Sequence, residues 1–486
     1  MSIREKCGVF GAKVEQGDVF PTLYWGMLAQ NHRGHQSHGF ATWDGEIELY
    51  TQLGLIPPNQ GIGTDINPLG GMVGIANVRY ATSGSLDLGA RQRDAMPIIV
   101  EGKRNRVAIT FNGNIVNVRD LQRKADVDSC SSDTHALAQI LVNKLDETGS
   151  LEEAARACMT GIDGSFAIVG LTGDGTLFAF KDPIGVKPLC YGTSMDVHAF
   201  SSESVGLDIN EIAFDHELKP GELITVRGGV AESRQVVNSD RRAFCAFELA
   251  YFMRPDSRAN GKYVYQARID FGRALARLYS EKAKRCELVV SLPETADDAA
   301  YGFHEEAGIP WERATRRHRY VSQRAFISGA EERQNVILRK VNILAPAIEG
   351  KRIAVVDDSI VRGDTTRSTV RRFREAGAAE VHLFITFPRI IGPCFYGIDM
   401  ATYSQLIGAR MGPEEIAKDI SADSINYLPI EEYVACTGMA RDRLCLGCVS
   451  NSYPTPLADK LAKQMLENLR NGGSETGRIY EADPVE

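Results

Sequence analysis

Residues 355–369, VVDDSIVRGDTTRST, join an apolar run to a dense polar loop. The run reads as a strand, and Asp357 and Asp358 fall at its C-terminal end. Ligands of open α/β sheets bind beyond that end of the strands. Ser359, Gly363, Thr365 and Thr366 follow, then a helical stretch with Val370 and Phe373 on one face. Glycine lets the backbone come close to a phosphate. Free N–H groups at a helix start, with nearby hydroxyls, hold the anion. Adjacent carboxylates suit the paired hydroxyls of a ribose. A bare D-D-S would read as a capped turn, whereas the whole string reads as a seat for a phosphorylated ribose.

A second group begins at Cys7, in CGVFG. A thiol is a strong nucleophile that needs a base. Removal of residues 1–6 would free the α-amine of Cys7 to serve as that base. Arg79, in VRYATSG, can pair bidentately with a carboxylate. Asn112 and Gly113, in FNGN, offer an amide and a backbone N–H to an oxyanion. Asp133, in SSDTHA, can pair with an ammonium group. Taken singly, each has an ordinary reading: a solvated Arg, a hairpin turn, a helix cap. A third group is Cys445 and Cys448, a C-x-x-C pair of the kind that binds zinc or iron–sulfur clusters. The sequence has ten cysteines, too sparse for a disulfide scaffold. Cys130, Cys158, Cys190 and Cys286 read as buried residues, while spacing leaves Cys245, Cys394 and Cys436 unassigned.

These groups need elements to hold them. The first half has short β-type runs such as VAITF, FAIVGLTGDGTLFAF and ELITV, divided by Gly and Asp. They predict antiparallel hairpins, and THALAQILVNKL and LEEAARACM predict helices outside stacked sheets. In the second half, strands at 288–292, 353–356 and 381–387 alternate with helices ending near Glu306 and Ala376. That order predicts a parallel, Rossmann-like sheet, with Gly377 closing a helix. The polar stretch 238–242 marks the boundary between halves. A chain of 486 residues with 43% hydrophobic and 24% charged content suits a few soluble domains. The net charge of −8 disfavours non-specific nucleic-acid binding. No apolar run nears the ~18 residues of a membrane span, and the start MSIREK lacks a signal-peptide core. A cytoplasmic location is expected.

In combination, these motifs resemble the amidophosphoribosyltransferases. That family joins a class II glutamine amidotransferase half, of N-terminal nucleophile fold, to a type I phosphoribosyltransferase half. Its loop reads close to VVDDSIVRGTTS, and its junction CIFEYIYFARPDS matches FCAFELAYFMRPDS at 244–257. KDPIGVKPLCYG, SSESVGLD, KPGELITV, GPCFYGID and SADSINYL match further segments in order. The resemblance implies a propeptide at 1–6, a glutaminase domain at 7–240, a transferase domain at 241–455, and a C-terminal helix with an acidic tail at 456–486. It implies Cys7 as nucleophile and Asn112 with Gly113 as oxyanion hole. Arg33, Arg79 and Asp133 would serve glutamine, with Gly34 shaping the nucleophile's surroundings. Phosphoribosyl pyrophosphate would be held by Asp357, Asp358, Ser359, Gly363, Thr365, Thr366 and Tyr320. Mg²⁺ would lie near Thr295, Asp357 and Asp358. Cys245, Cys394, Cys445 and Cys448 would ligate a [4Fe–4S] cluster, and Cys436 would be an ordinary buried residue. A homotetramer inhibited by purine nucleotides is implied as well.

The implied reaction makes 5-phosphoribosylamine, glutamate and pyrophosphate. Some segments depart from the family. P-D-S-G is Pro293-Glu294-Thr295-Ala296 here, NRYVGRTFI is HRYVSQRAFI, HRGQESAG is HRGHQSHG, and Asn77 stands where a His is usual. The changes bear on the pyrophosphate contacts and on closure by Arg319, Tyr320 and Arg324. Rival expectations are a paralogue aminating another sugar phosphate and a regulator that binds phosphoribosyl pyrophosphate.

Overall fold

The computed structural model describes residues 7–58, 69–80, 88–125, 132–317, 341–400 and 402–475. In the first half the strands pair antiparallel, and several, such as 8–14, 73–79 and 164–172, are buried along their whole length, as strands covered on both faces are. The strands are β1 (Gly8–Val14), β2 (Ser37–Trp43), β3 (Ile47–Leu53), β4 (Val73–Arg79), β5 (Ile98–Glu101), β6 (Arg106–Ile115) and β7 (Gly164–Thr172). They continue as β8 (Leu177–Lys181), β9 (Cys190–Ser194), β10 (Val197–Ser201), β11 (Phe214–Glu217), β12 (Glu222–Arg227) and β13 (Val230–Gln235). One sheet runs β11-β9-β10-β1-β4-β2-β3 and the other β13-β12-β8-β7-β6-β5.

Val9, Ala41, Ile75, Ala108, Val169 and Phe200 fill the space between the sheets. The helix Phe20–Leu28 covers the outer face of the first sheet through Leu23 and Met27. The helices Asp133–Thr148 and Leu151–Gly161 cover the second through Leu137, Leu141 and Cys158. This is a four-layer N-terminal nucleophile fold, as the hairpin pattern and the resemblance predict.

The second half is an α/β unit of the predicted parallel type. Its strands lie in the order Leu288–Ser291, Arg352–Asp357, Glu380–Ile385, Ser424–Tyr427, all parallel. Helices Asp297–Ala307 and Asp364–Glu375 follow the first two strands. Gly377 has φ +91°, which a side chain would strain, and its N–H closes the second helix onto Arg374 O at 3.0 Å. The helix Pro456–Arg470 ends the described chain. Among the described residues no helix is long and apolar enough to cross a membrane.

Candidate functional site

Cys7 stands one residue before β1, where Gly8 pairs with Val78 of β4. That register brings Cys7 beside Arg79. The thiol is buried and donates to Tyr80 O at 3.7 Å. Burial pushes its pKa up, and the nearby charges of Arg79 and Lys187 pull it back down. Arg79 is itself buried and lies 3.6 Å from Asp94. Asp133 begins its helix; the cap is Ser132, whose Oγ accepts from His135 N at 3.4 Å. Asp133 Oδ2 accepts from Ile115 N at 3.3 Å, and its charge reaches the Cys7 thiol.

β6 packs across β1 and supplies Asn112 and Gly113. A Cβ on Gly113 would lie 2.1 Å from Ser165 O, so no larger residue fits the strand there. Asn112 is fully buried, and neither atom of its carboxamide has a hydrogen-bond partner among the described residues. Buried amides left without partners are rare and call for an explanation. Behind the thiol, Arg33 Nε donates to Cys7 O at 3.2 Å. Its guanidinium is otherwise engaged by Glu203 and Glu248. Arg33 thus touches the Cys7 backbone. Gly34 lets the chain pass close to β4: a Cβ there would meet Val78 C at 2.4 Å.

In the second half, Asp357 ends its strand and Asp358 follows, as predicted. Asp358 Oδ1 accepts from Thr295 Oγ1 and Oδ2 from Ser359 Oγ, each at 2.6 Å. Thr295 therefore joins the 293–296 loop, whose Pro293–Glu294 peptide is cis, to the carboxylate pair. Burial raises both carboxyl pKa values, and the charge of Asp358 raises that of Asp357 further. Gly363, at φ +86°, precedes the helix Asp364–Glu375, with Thr365 exposed and Thr366 buried in its first turn. The helix start thus follows directly on the strand end that carries the aspartates, as in sites that hold a phosphate at a helix N-terminus. Arg319, Tyr320 and Arg324 lie outside the described residues, as does Cys130.

The four thiols converge where the halves meet. Phe244–Cys245 pairs parallel with Leu444–Cys445, with Cys245 directly opposite Cys445. Cys448 is buried, and after burial itself the charges of Cys394, Cys445 and Cys245 do most to raise its pKa. Ile391 N and Gly392 N donate to Cys448 O at 2.8 and 2.9 Å, which fixes the Cys394 loop beside it. Among the described residues, no three His, Cys, Asp or Glu side chains converge tightly enough for a single metal ion. A [4Fe–4S] cluster takes four thiolates, one on each iron, and the chemistry of this four-cysteine donor set fits one. Cys436 is half-buried, and its thiol donates to Asp270 O at 3.4 Å.

The quartet also lies on the seam. Ala243 N donates to Ile184 O at 2.7 Å and Cys245 N to Val186 O at 3.1 Å. Asn114 Nδ2 reaches Phe395 O at 2.8 Å, and Ser165 Oγ reaches Tyr396 O at 3.1 Å. Sequence reasoning missed Lys187, Asp94, Glu203, Glu248 and Arg268. The first, third and fourth stood inside quoted motifs without a role.

An N-terminal nucleophile fold with a buried cysteine at the head of β1, continuous with a parallel α/β unit that carries paired aspartates at a strand end, defines a glutamine-dependent transferase. A family model described as a glutamine amidotransferase domain matches residues 85–208. The amidophosphoribosyltransferase of Methanocaldococcus jannaschii is 37% identical over 92% of this chain and 98% of its own. That of Mycobacterium tuberculosis is 34% identical over 100% and 94%. The solved glutamine phosphoribosylpyrophosphate amidotransferase of B. subtilis, complexed with ADP and GMP, superposes with a TM-score of 0.82. It shares 30% identity, covering 93% of this chain and 98% of that one. A structure described as the allosteric regulatory enzyme of purine biosynthesis gives 0.83 at 30% identity. The chain belongs to the amidophosphoribosyltransferase family.

Proposed function

We infer that this chain catalyses the glutamine-dependent first step of purine biosynthesis. Glutamine, water and phosphoribosyl pyrophosphate become 5-phosphoribosylamine, glutamate and pyrophosphate. The thiol of Cys7 attacks the side-chain carbonyl of glutamine, and its proton goes to the α-amine freed by loss of residues 1–6. Asn112 Nδ2 and the Gly113 N–H receive the oxyanion. Ammonia leaves, and water hydrolyses the thioester to glutamate. Arg79 and Asp133 hold the α-carboxylate and α-amine of glutamine, and Arg33 with Gly34 sets the backbone beneath the thiol. The observation that carries this reading is the unpartnered carboxamide of Asn112, buried on the strand that crosses β1.

Ammonia passes inside the protein to the second half and attacks C1 of the ribose as pyrophosphate departs. Asp357 and Asp358 hold the ribose hydroxyls, and 359–366 wraps the 5′-phosphate, with Ser359, Gly363, Thr365 and Thr366 as contacts. Tyr320 closes over the substrate. Mg²⁺, held near Thr295, Asp357 and Asp358, would neutralise the leaving pyrophosphate. This half works by positioning the substrates and excluding water. Cys245, Cys394, Cys445 and Cys448 hold a [4Fe–4S] cluster that fastens the seam. The enzyme is a cytoplasmic homotetramer with domains at 7–240 and 241–455, and purine nucleotides inhibit it.

Cys7→Ala tests the division of labour. It should abolish glutamine use and spare synthesis from ammonia. Loss of both activities in a folded variant would overturn the scheme. Iron and sulfide assayed after anaerobic purification test the cluster, and their absence removes it.

A further inference from the structure

The first sheet turns two polar side chains inward that no step above uses. Along β2, Ala41 lies in the core between the sheets and Phe40 in the core beneath the helix Phe20–Leu28. Successive side chains of a strand point to opposite faces, so Ser37 turns inward with Ala41. Along β4, Ile75 lies between the sheets, while Ala76 and Val78 lie outside them. Asn77 therefore turns inward, as does Arg79. Register sets Ser37 opposite Arg79, and Asn77 between Gly39 and Val9. Ser37 and Asn77 are thus diagonal neighbours on one face, at the end of the sheet where Cys7 enters β1.

Both side chains are fully buried. Asn77 Nδ2 donates to Gly8 O at 2.8 Å, on the residue after the thiol. A carbonyl only accepts, so this bond fixes which end of the amide is nitrogen and leaves Oδ1 as an acceptor. Among the described residues, neither Asn77 Oδ1 nor Ser37 Oγ has a hydrogen-bond partner. Buried polar groups in that position are rare and call for an explanation.

Glutamine itself does not supply one. An acceptor repels the α-carboxylate, which Arg79 takes, and the α-ammonium has Asp133. Once ammonia has left, the acyl group has no other N–H to give. The donor that the next step brings is water, and a buried water makes about three hydrogen bonds. A water that donates to Asn77 Oδ1 and accepts from Ser37 Oγ keeps its second proton for the α-amine of Cys7 and a lone pair for the thioester.

We propose that Asn77 and Ser37 hold the water that hydrolyses the glutamyl thioester on Cys7. The inference deepens the function proposed above and rests on it. The water oxygen bonds to the thioester carbonyl carbon as one proton passes to the α-amine. The C–S bond then breaks and its electron pair returns to sulfur. The α-ammonium gives the proton back to the thiolate, the new carboxyl group ionises, and glutamate leaves. Histidine, usual in the family at position 77, also offers one N–H and one acceptor when neutral. Asparagine at this position keeps that pair of bonds without the titration.

The test uses the full-length protein and its Ser37→Ala, Asn77→Leu and Asn77→His variants, with phosphoribosyl pyrophosphate present. A single turnover of glutamine is quenched in acid at successive times. Mass spectrometry of Cys7 then gives the rates at which the thioester forms and decays. In Ser37→Ala and Asn77→Leu, decay relative to formation should slow by about threefold to tenfold, the worth of one hydrogen bond. The peak amount of thioester should rise in proportion. Asn77→His should keep the decay at alkaline pH. Relative to the unaltered protein it should lose the decay as pH falls through about 6.5, where the ring gains a second proton and has no acceptor left. Variants whose formation and decay fall together reveal a structural role only and overturn the proposal. So do variants whose thioester decays at the unaltered rate. An unaltered protein that releases no glutamate from glutamine overturns the function itself. Should Asn77→Leu fail to fold, Ser37→Ala and Asn77→His decide the matter.

Discussion

Replacing Asn112 with alanine should separate catalysis from stability. The side chain is fully buried on β6, and neither atom of its carboxamide has a hydrogen-bond partner among the described residues. An unpartnered buried polar group costs about 1–3 kcal/mol, so its removal returns that much. The hole left behind costs on the order of 1–3 kcal/mol in the opposite direction. The two nearly cancel, and the melting temperature should hardly move. Catalysis has no such offset. Removal of one oxyanion-hole donor costs about 2.7–4 kcal/mol of transition-state stabilisation, or roughly a hundred- to a thousandfold in kcat. The assay compares phosphoribosylamine formation from glutamine with formation from ammonia. Asn112→Ala should lose the first and retain the second. A glutamine-dependent loss below about tenfold refutes the assignment of Asn112. A marked fall in melting temperature refutes the argument that its amide is held for substrate.

Three further outcomes follow from the geometry. Thr295→Val deletes the 2.6 Å hydrogen bond to Asp358. A hydrogen bond to a charged group is worth about 1.5–3 kcal/mol, so initial-rate kinetics should show KM for phosphoribosyl pyrophosphate rising by about tenfold or more. An unchanged KM would mean that the bond is absent in the substrate complex. Gly113→Ala places a methyl group 2.1 Å from Ser165 O; thermal unfolding should occur at lower temperature and glutamine hydrolysis should fall, and a variant unaffected in both would contradict the packing. Burial raises the pKa values of Asp357 and Asp358, and the charge of Asp358 raises that of Asp357 further. Their protonated form is therefore favoured above the ordinary carboxylate range near ~4, and acidification should weaken substrate binding beginning above that range. Binding that requires both ionised must release protons. Calorimetry in buffers of different ionisation heat should detect the release, and heats independent of buffer would count against it.

Much of the architecture was legible because local patterns encode it. The apolar runs GSFAIVGLT and LFAFK, divided by Gly and Asp, form a hairpin, and a left-handed glycine at 377 closes a helix. The ends of elements were less legible. SSDTHA reads as a cap at Asp133, yet Ser132 is the cap, which leaves the Asp133 carboxylate beside Ile115 N and within reach of Cys7. Arg79 reads as a free fork for a carboxylate, but Asp94 stands 3.6 Å away. Any carboxylate arriving there shares the guanidinium with it. Cys245 and Cys445 face each other across a two-residue parallel bridge. No period or spacing in the sequence encodes a pairing between segments so far apart.

The seam between the halves was the least legible part, and the reason is physical. Arg33 meets Glu248 across 215 positions, and Tyr433 Oη donates to Ala246 O across 187. Propensity and periodicity describe neighbours in sequence and are silent at that range. A signal nevertheless existed. Glu248 is the lone charge in FCAFELAYF, and Lys187 stands alone in IGVKPLCY. Charged residues are almost never fully buried unless paired, because an isolated charge in an apolar medium is expensive. A single charge inside a run apolar enough to be buried therefore demands a partner from elsewhere in the fold. For Glu248 that partner is Arg33, which in turn holds the carbonyl of Cys7. The charge that looks out of place in the junction sequence thus marks where the second half reaches, through Arg33, the backbone of Cys7.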